Sequence, residues 1–363
     1  MEMQKTGDRR SNVRASAVET LRHFDRQADS DRDIPADATS AVREIVSGIL
    51  AIDPVKDIHG LFSAVEDFAY GAPGIAHAVL PTIQGAVLVG RCGSEGQRVR
   101  FLARAANTGR NIALLLLTED SGRGASEWCT HAKRAEDKWV INGQKSGVNN
   151  NGHEFAIIAA KDGTGGIGLF SIEDSHLFGA EGGNREFPTM ALGASCLSEV
   201  AIDNIVVDDH DRLARSSSVD AIRAVAQSRL LVGAISLGTA NASLDYARQW
   251  VTKRMAFGKP LAAFEGVAFD VADSDIKLQA AHFMLHHVLD ELESIDDIDA
   301  IDDKVGRALV RVKAVAAAVA IDGVQLMGVH GIIHEHPQEL FHRTASSLAV
   351  LDSDPLMSGY ALL

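Results

Sequence analysis

The periodicity of apolar residues changes twice along the 363-residue chain, and this change limits its fold more than any other feature. Up to about residue 111, apolar residues recur at helical spacing. The next hundred residues contain short β-prone runs separated by glycine, asparagine and aspartate, and helical spacing then returns. This order predicts an α+β protein with an N-terminal helical domain at 1–111, a central small β-domain at 112–213 and a C-terminal four-helix bundle at 214–363.

The spacing also predicts individual elements. The β-prone runs are Ile112–Leu117, Trp139–Ile141, Phe155–Ala160, Ile167–Ile172 and Val200–Val207. Lys161–Gly166 has the composition of a hairpin turn, and Asn142-Gly143 is interpreted as a second tight turn. Runs at this spacing favour a compact sandwich or barrel. The C-terminal helices are predicted at Val219–Arg254, Phe264–Glu293, Lys304–Met327 and His336–Leu351. The acidic run Ser294–Asp303 is expected to be a solvated loop without chemistry.

Composition argues against several classes of function. Lysine plus arginine total 35 against 49 for aspartate plus glutamate, which gives a net charge of −14 and no basic stripe for nucleic acid. The three cysteines show no CxxC spacing, the polar first residues resemble no signal peptide, and apolar runs such as Val312–Ile321 are too short to span a bilayer. We therefore expect a cytoplasmic protein that binds neither nucleic acid nor membrane.

A histidine group on the second C-terminal helix is a candidate for metal binding. His282 and His286 are four residues apart and share a helix face, and His287 follows directly. The sequence offers no carboxylate or cysteine at a spacing that would complete a site. These residues are therefore interpreted as surface histidines, and no metal site is predicted.

Four motifs stand out in the sequence, and three of them have ordinary structural explanations when they are taken one by one. The four are LTEDSGRG (Leu117–Gly124), WVINGQK (Trp139–Lys145), RMAFGKPL (Arg254–Leu261) and QLMGVHG (Gln325–Gly331). The first is typical of a turn after a buried strand, the second of a hairpin, and the last of a helix end stopped by glycine. Their order and spacing, however, resemble the acyl-CoA dehydrogenase family, and the resemblance runs from about residue 65 to residue 352.

The resemblance implies that FAD lies between the β-domain and the helical bundle and that a second chain completes the site. The cofactor-binding residues that it implies are Leu117, Thr118, Gly124, Val148, Asn149, Arg254, Phe257, Gln325 and Gly328. Arg254 is expected to reach the pyrophosphate, because a guanidinium fork matches phosphate oxygens in a bidentate fashion. Arg229 is expected beside the thioester pocket as a substrate-binding residue. We therefore expect a homo-oligomer, or a hetero-oligomer with a paralogue.

The family uses a carboxylate to remove the α-proton of an acyl thioester while the β-hydride passes to the flavin. The position that matches the usual glutamate, nine residues after Arg343, holds Asp352, whose side chain is one methylene shorter. Asp352 is the predicted catalytic base, and its alternative interpretation is a helix exit before Ser-Asp-Pro. The sequence also departs from the family at Gly147, where a tryptophan is usual, and at Glu265, where a glutamine is usual.

The resemblance implies an FAD-dependent oxidoreductase that desaturates an acyl thioester linked to CoA or to a carrier protein. Electrons would pass to an electron-transfer flavoprotein or another acceptor. Two alternatives stay open. One is a non-catalytic subunit of a heteromeric dehydrogenase, and the other is a flavin oxidase or monooxygenase on the same fold.

Overall fold

A computed structural model describes residues 13–119, 125–152, 154–173, 184–213 and 217–352. The N-terminal helices follow a helical segment at residues 13–20 and are α1 (Asp25–Asp31), α2 (Thr39–Leu50), α3 (Ile58–Gly71), α4 (Pro73–Cys92) and α5 (Glu95–Ala105). The C-terminal helices are α6 (Ser218–Lys253), α7 (Glu265–Leu292), α8 (Ile298–Met327) and α9 (Gln338–Val350). The strands of the main sheet lie between these two sets. The predicted order of helices, strands and helices is therefore confirmed.

The main sheet has seven strands in the described part of the chain. They are β1 (Ala113–Leu116), β2 (His131–Ala135), β3 (Lys138–Val148), β4 (Phe155–Lys161), β5 (Ile167–Ile172), β6 (Arg185–Glu186) and β7 (Ser198–Asp208). Their order is β1-β4-β2-β3-β7-β6, and β5 pairs with β4. The predicted hairpin between β4 and β5 is confirmed, since Lys161 pairs with Ile167 in an antiparallel ladder. Its turn uses Gly163 and Gly165, both at positive φ.

The prediction of a tight turn at Asn142-Gly143 is wrong. Strand β3 continues through both residues, and its register against β7 shifts between Ile141 and Gly143, as at a β-bulge. A Cβ on Gly143 would lie 2.4 Å from Thr130 Oγ1, so the glycine permits close approach of neighbouring strands. The turn that joins β2 to β3 lies instead at Glu136, which has a φ of 57°.

The acidic run at 294–303 is helical over much of its length, so the loop prediction is wrong there. Helix α8 begins at Ile298, and the Asp297 side chain caps it by accepting a hydrogen bond of 2.7 Å from Ala300 N. Ile301 and Val305 are both fully buried and are one helical turn apart, so the apolar stripe of α8 extends back into the acidic run. Asp302 is consequently carried into the protein interior, where it is 6% exposed.

The central helix α4 is buried along nearly its whole length and packs against α6. By length and composition, α4 and the segment Ile298–Gly331 could each cross a membrane. The apolar runs of the sequence predicted no segment long enough to do so. In α4, 94% of the apolar window is buried inside the protein, which is the environment of a core helix; in the second segment 39% is buried.

The histidines of α7 lie at a helix crossing and do not all point into solvent. His286 Nδ1 lies 2.7 Å from His59 Nδ1 on α3, and His282 Nδ1 lies 3.0 Å from Glu66 Oε2 on the same helix. His287 is exposed and contacts only its own helix among the described residues. The interpretation as surface histidines therefore holds for His287, whereas His282 and His286 join α7 to α3.

Candidate active site

Two adjoining cavities lie where the sheet meets the helices. The inner one has a volume of about 70 Å³ and the outer one about 270 Å³. They share a wall that is formed by Thr118, Ser146, Gly147, Leu351 and Asp352. The inner cavity is bounded further by α4 and α6, whereas the outer one opens past Phe187, Thr189 and Leu197. Asp352 therefore lines both cavities.

The inner cavity brings together residues that are far apart in the chain and that the resemblance assigned to one site. The predicted residues that line it are Leu117, Thr118, Val148, Asn149, Arg229 and Asp352. They come from the ends of β1 and β3, from α6 and from the segment that follows α9. Gly124, which was predicted with them, lies outside the described residues.

Arg229 is held between two carboxylates. Its Nε donates to both oxygens of Asp352, at 3.1 and 2.9 Å, and its Nη1 donates to Asp302 Oδ1. All three side chains are nearly buried. Burial by itself lowers the pKa of Arg229, but the charges of Asp352 and Asp302 outweigh burial and raise that pKa above its ordinary value. The guanidinium is therefore permanently charged, and the three groups together carry one net negative charge.

Asp302 is a site residue that sequence reasoning missed. Its Oδ2 accepts a hydrogen bond of 2.6 Å from Ala125 N, so it links α8 both to Arg229 and to the loop that follows β1. The signal that could have revealed it is the apolar stripe of α8, because Asp302 lies three residues before Val305 and seven before Leu309, on the same face as these two buried residues. The acidic composition of the run instead favoured the prediction that Asp302 is exposed to solvent.

Asp352 has an unusual backbone conformation. Its φ is 63°, in the left-handed region that aspartate and asparagine occupy more readily than most other residues. The preceding residue is also fixed, since Lys313 Nζ donates to the Leu351 carbonyl and is fully buried. The aspartate in place of the usual glutamate therefore matches the local backbone. Lys313 fixes the carbonyl before it, and Arg229 holds its carboxylate.

A proline inside α4 shapes the wall of the inner cavity. Pro81 has no N–H, so the carbonyl of His77, four residues earlier, has no partner within the helix. The Asn149 side chain supplies this partner, since its Nδ2 donates to His77 O at 2.7 Å. Asn151 Nδ2 donates to Ala78 O at 3.0 Å in the same way. The asparagines after β3 thus anchor α4 to the sheet.

The start of the loop after β1 is positioned by a buried ion pair. Lys145 Nζ lies 3.3 Å from Glu119 Oε1 and 4.2 Å from the centre of the Trp128 ring. Burial lowers the pKa of Lys145 to about 8, although Glu119 opposes this effect. Burial tends to raise the pKa of Glu119, but Lys145 and the backbone amides of Cys129 and Thr130 outweigh burial and lower it. Glu119, which follows Thr118 in the chain, is therefore fixed in position.

The remaining predicted cofactor residues lie at the far end of α6 and α8. They are Arg254, Phe257, Gln325 and Gly328, and all are exposed. Phe257 is 97% exposed with a φ of 52°, at the tip of a hairpin between β8 (Met255–Ala256) and β9 (Lys259–Pro260). None of these residues lines the inner cavity described above. Within one chain, the two groups of predicted cofactor residues therefore form separate surfaces.

The fold is helical–β–helical, with two cavities where the sheet meets the helices. The model of the acyl-CoA dehydrogenase C-terminal domain matches residues 220–352. An acyl-CoA dehydrogenase of Bacillus subtilis is 28% identical over 323 residues, which cover 86% of this chain and 80% of that protein. Both comparisons support membership of the acyl-CoA dehydrogenase family, as the sequence predicted.

Solved structures agree with this assignment of the fold. Butyryl-CoA dehydrogenase from Megasphaera elsdenii superposes with a TM-score of 0.76 at 22% identity, covering 97% of both chains. A glutaryl-CoA dehydrogenase from Mycobacterium smegmatis in complex with FADH2 superposes with a TM-score of 0.78 at 20% identity, covering 98% of this chain and 92% of that one. At these identities the likeness establishes the shared fold.

Proposed function

We propose that this protein is an FAD-dependent oxidoreductase that removes an α-proton and a β-hydride from an acyl thioester, with Asp352 as the base. The observation that carries the proposal is the inner cavity, where the Asp352 carboxylate faces the same space as the residues predicted to contact flavin. The named activities of the relatives support the reaction class.

The residues of the cavity fit a flavin. Asn149 Oδ1 is buried and has no hydrogen-bond partner among the described residues, although the same side chain is fixed through its Nδ2. A ligand with a ring N–H group would satisfy this oxygen, and the isoalloxazine ring has such a group. When bound, the flavin supplies the acceptor for the β-hydride. Leu117, Thr118, Val148 and Asn149 would hold its ring, and Arg254 would bind its pyrophosphate.

The ionised side chains of the cavity determine how Asp352 acts as a base. Arg229 fixes the orientation of the carboxylate, while Asp302 offsets part of the arginine's positive charge. Without Asp302, the arginine would stabilise the ionised form of Asp352 more strongly and make proton abstraction harder. His77 adds no competing cation at neutral pH, because burial lowers its pKa to about 4. Asp352 would thus take the α-proton while Arg229 holds it in place.

We also propose that the active form is an oligomer. Phe257 is almost fully exposed beside Arg254, at a position where the resemblance implies contact with cofactor bound mainly by another chain. Helix α7 exposes Phe269, Ile276 and Phe283, which recur every seven residues and therefore share one face. An apolar stripe of this kind is typical of an interface between chains. A cytoplasmic location and an electron-transfer flavoprotein as acceptor complete the proposal.

A second function, that of a non-catalytic subunit, is favoured by one observation. Both oxygens of Asp352 already accept hydrogen bonds from Arg229, so proton abstraction requires the carboxylate to weaken an existing contact. In a heteromeric assembly this ion pair would serve only to stabilise the fold, and a paralogue would carry the base.

The test is flavin reduction by a panel of thioesters under anaerobic conditions, followed through the visible flavin bands. Asp352→Asn preserves the side-chain shape and tolerates the left-handed backbone, and it should lower the rate of bleaching by at least a hundredfold. Asp352→Glu restores a carboxylate and should recover part of the rate. Asp37→Asn, a change at an exposed position, serves as the matched control.

The outcomes separate the two functions. Unchanged bleaching by Asp352→Asn would remove Asp352 from the role of base. If the parent protein binds flavin yet no thioester bleaches it, and co-expression with a paralogue restores turnover, the non-catalytic function is correct. A purified protein that is colourless after reconstitution with FAD would contradict both the cofactor and the dehydrogenase proposal.

A further inference from the structure

The α4 side of the inner cavity carries polar groups that neither the base nor the predicted flavin contacts use. His77 and Gln84 both line the cavity, and they are seven residues apart on one face of α4. The predicted flavin contacts come from the strand side instead, at Leu117, Thr118 and the end of β3. The α4 wall is therefore the part of the cavity that is left for the acyl group of a substrate.

Gln84 has one hydrogen-bonding group fixed and another left over. Its side chain is nearly buried, and its Nε2 donates to Ser228 O on α6 at 2.8 Å. No described residue donates to its Oε1. Because Nε2 is anchored, Oε1 cannot rotate away without breaking that bond. A polar group in a nearly dry wall costs free energy unless a partner meets it, and a ligand with a donor group would provide one.

His77 offers a second neutral polar group. Its Nδ1 lies 2.8 Å from Ser195 Oγ and so has a partner. The other ring nitrogen, Nε2, points in a different direction. The ring is uncharged at neutral pH, since burial lowers its pKa to about 4. A neutral imidazole and a neutral amide suit a hydroxyl group, whereas an acidic substituent would need a cation. Arg229 already binds two carboxylates.

Apolar residues of α4, β1 and α6 surround these polar groups and limit the length of the acyl group. Leu80, Pro81, Leu115 and Val232 line the cavity and are all buried. The inner cavity has a volume of about 70 Å³, which takes a chain of only a few carbons. The apolar residues beside Gln84 would contact the methylene groups of that chain.

We propose, on the basis of the proposed dehydrogenase function, that the substrate is a short acyl thioester with a hydroxyl group beyond its β-carbon and that Gln84 determines this preference. The hydroxyl donates to Gln84 Oε1 and stays unchanged in the reaction. The α-proton passes to Asp352, the β-hydride passes to the flavin, and a carbon–carbon double bond forms between the two carbons.

The experiment compares the flavin-loaded parent, Gln84→Leu and the control Gln249→Leu, whose position on α6 is exposed. Each protein receives pentanoyl-CoA and 5-hydroxypentanoyl-CoA, and the pairs of four and six carbons are assayed alongside. The first readout is kcat/KM with an artificial electron acceptor. The second is the dissociation constant of the corresponding non-oxidisable thioether analogues, measured by calorimetry. The thioethers report on recognition without any turnover.

The parent should favour the hydroxylated thioester by tenfold or more in kcat/KM for at least one chain length, because an apolar substrate leaves the amide oxygen unpaired. Gln84→Leu should abolish or reverse this ratio, and the thioether dissociation constants should change in the same direction. Gln249→Leu should behave as the parent does.

Equal or better turnover of the unsubstituted chains by the parent, with a ratio that Gln84→Leu leaves unchanged, would overturn this inference and leave the dehydrogenase function intact. A flavin-loaded parent that no thioester reduces, hydroxylated or not, would instead contradict the proposed function. If Gln84→Leu does not fold, Gln84→Met provides the second variant. It keeps the length of the side chain and removes the acceptor oxygen, so the hydroxyl preference should be lost there as well.

Discussion

A buried carboxylate of α1 that contacts the start of α4 allows a quantitative prediction. Asp25 is fully buried, its Oδ1 accepts a hydrogen bond of 2.9 Å from Ile75 N, and its Oδ2 has no partner among the described residues. Burial raises the pKa of Asp25 from 3.8 to about 6, although the backbone amides oppose this effect. Asn at this position keeps the acceptor for Ile75 and carries no charge. We therefore expect Asp25→Asn to stabilise the protein in a pH-dependent way.

The sign and size of the effect follow from linkage. A carboxyl whose folded pKa lies above its unfolded pKa contributes most to stability below the unfolded value, and this contribution is lost as pH rises through the folded value. The pKa of Asp25 rises from 3.8 to about 6, which is about 2 pKa units, and each unit corresponds to about 1.4 kcal/mol. The parent should therefore lose about 3 kcal/mol relative to Asp25→Asn between pH 4 and pH 7, and the difference should be constant above pH 7.

Urea unfolding at several pH values measures this difference. With a slope of about 3 kcal/mol/M, the unfolding midpoint of Asp25→Asn should lie about 1 M above that of the parent at pH 8 and close to it near pH 4. Near pH 4 the Asp25 carboxyl of the folded parent is largely uncharged and has nearly the same shape as the asparagine side chain. The comparison at this pH therefore separates effects of shape from effects of charge. Asp37→Asn, at an exposed position on the same part of the chain, should show no such trend. A difference between Asp25→Asn and the parent that does not change from pH 4 to pH 8 would refute the reasoning.

Three further predictions concern the cofactor, the base and the assembly. Arg254→Ala should weaken flavin retention about tenfold or more, since one charge-assisted bidentate contact contributes on the order of 2–3 kcal/mol; retention equal to that of the parent in a flavin-release assay would contradict the assignment. Asp302→Asn should leave the charge of Arg229 acting on the base alone, so kcat/KM should fall; an unchanged kcat/KM would remove Asp302 from this role. The double change Phe269→Gln and Phe283→Gln should reduce the assembly size in light scattering, and an unchanged size would place the interface elsewhere.

The fold was predictable from local patterns because its elements are long and strongly periodic. The apolar stripe of α6 and the glycine end of α8 define helix bounds within a residue or two of those observed. Errors arose where a local signal had more than one meaning. Asn142-Gly143 has the composition of a turn, but its strand neighbours on both sides hold it in a bulge. The choice between turn and bulge depends on pairing partners that are distant in sequence.

The candidate site was predictable in part and for a different reason. Four motifs in the correct order indicated a family, and the family indicated which residues should meet; Leu117, Val148, Arg229 and Asp352 do line one cavity. The roles of these residues stay predictions. Asp302 was not predictable in this way, because it matched no motif and its acidic neighbours suggested solvent.

The sequence by itself determined the order of elements, the family and the identity of the residue at the position of the base, since each of these depends on local composition and spacing. The tertiary structure alone decided which polar groups are buried and what they contact. It placed Asp302 against Arg229, directed Asn149 to the carbonyl that Pro81 leaves without a partner, and set Gln84 in the cavity wall. The physical reason is that the energy of a buried polar group depends on partners from distant segments, and those partners are defined only when the helices and the sheet pack together.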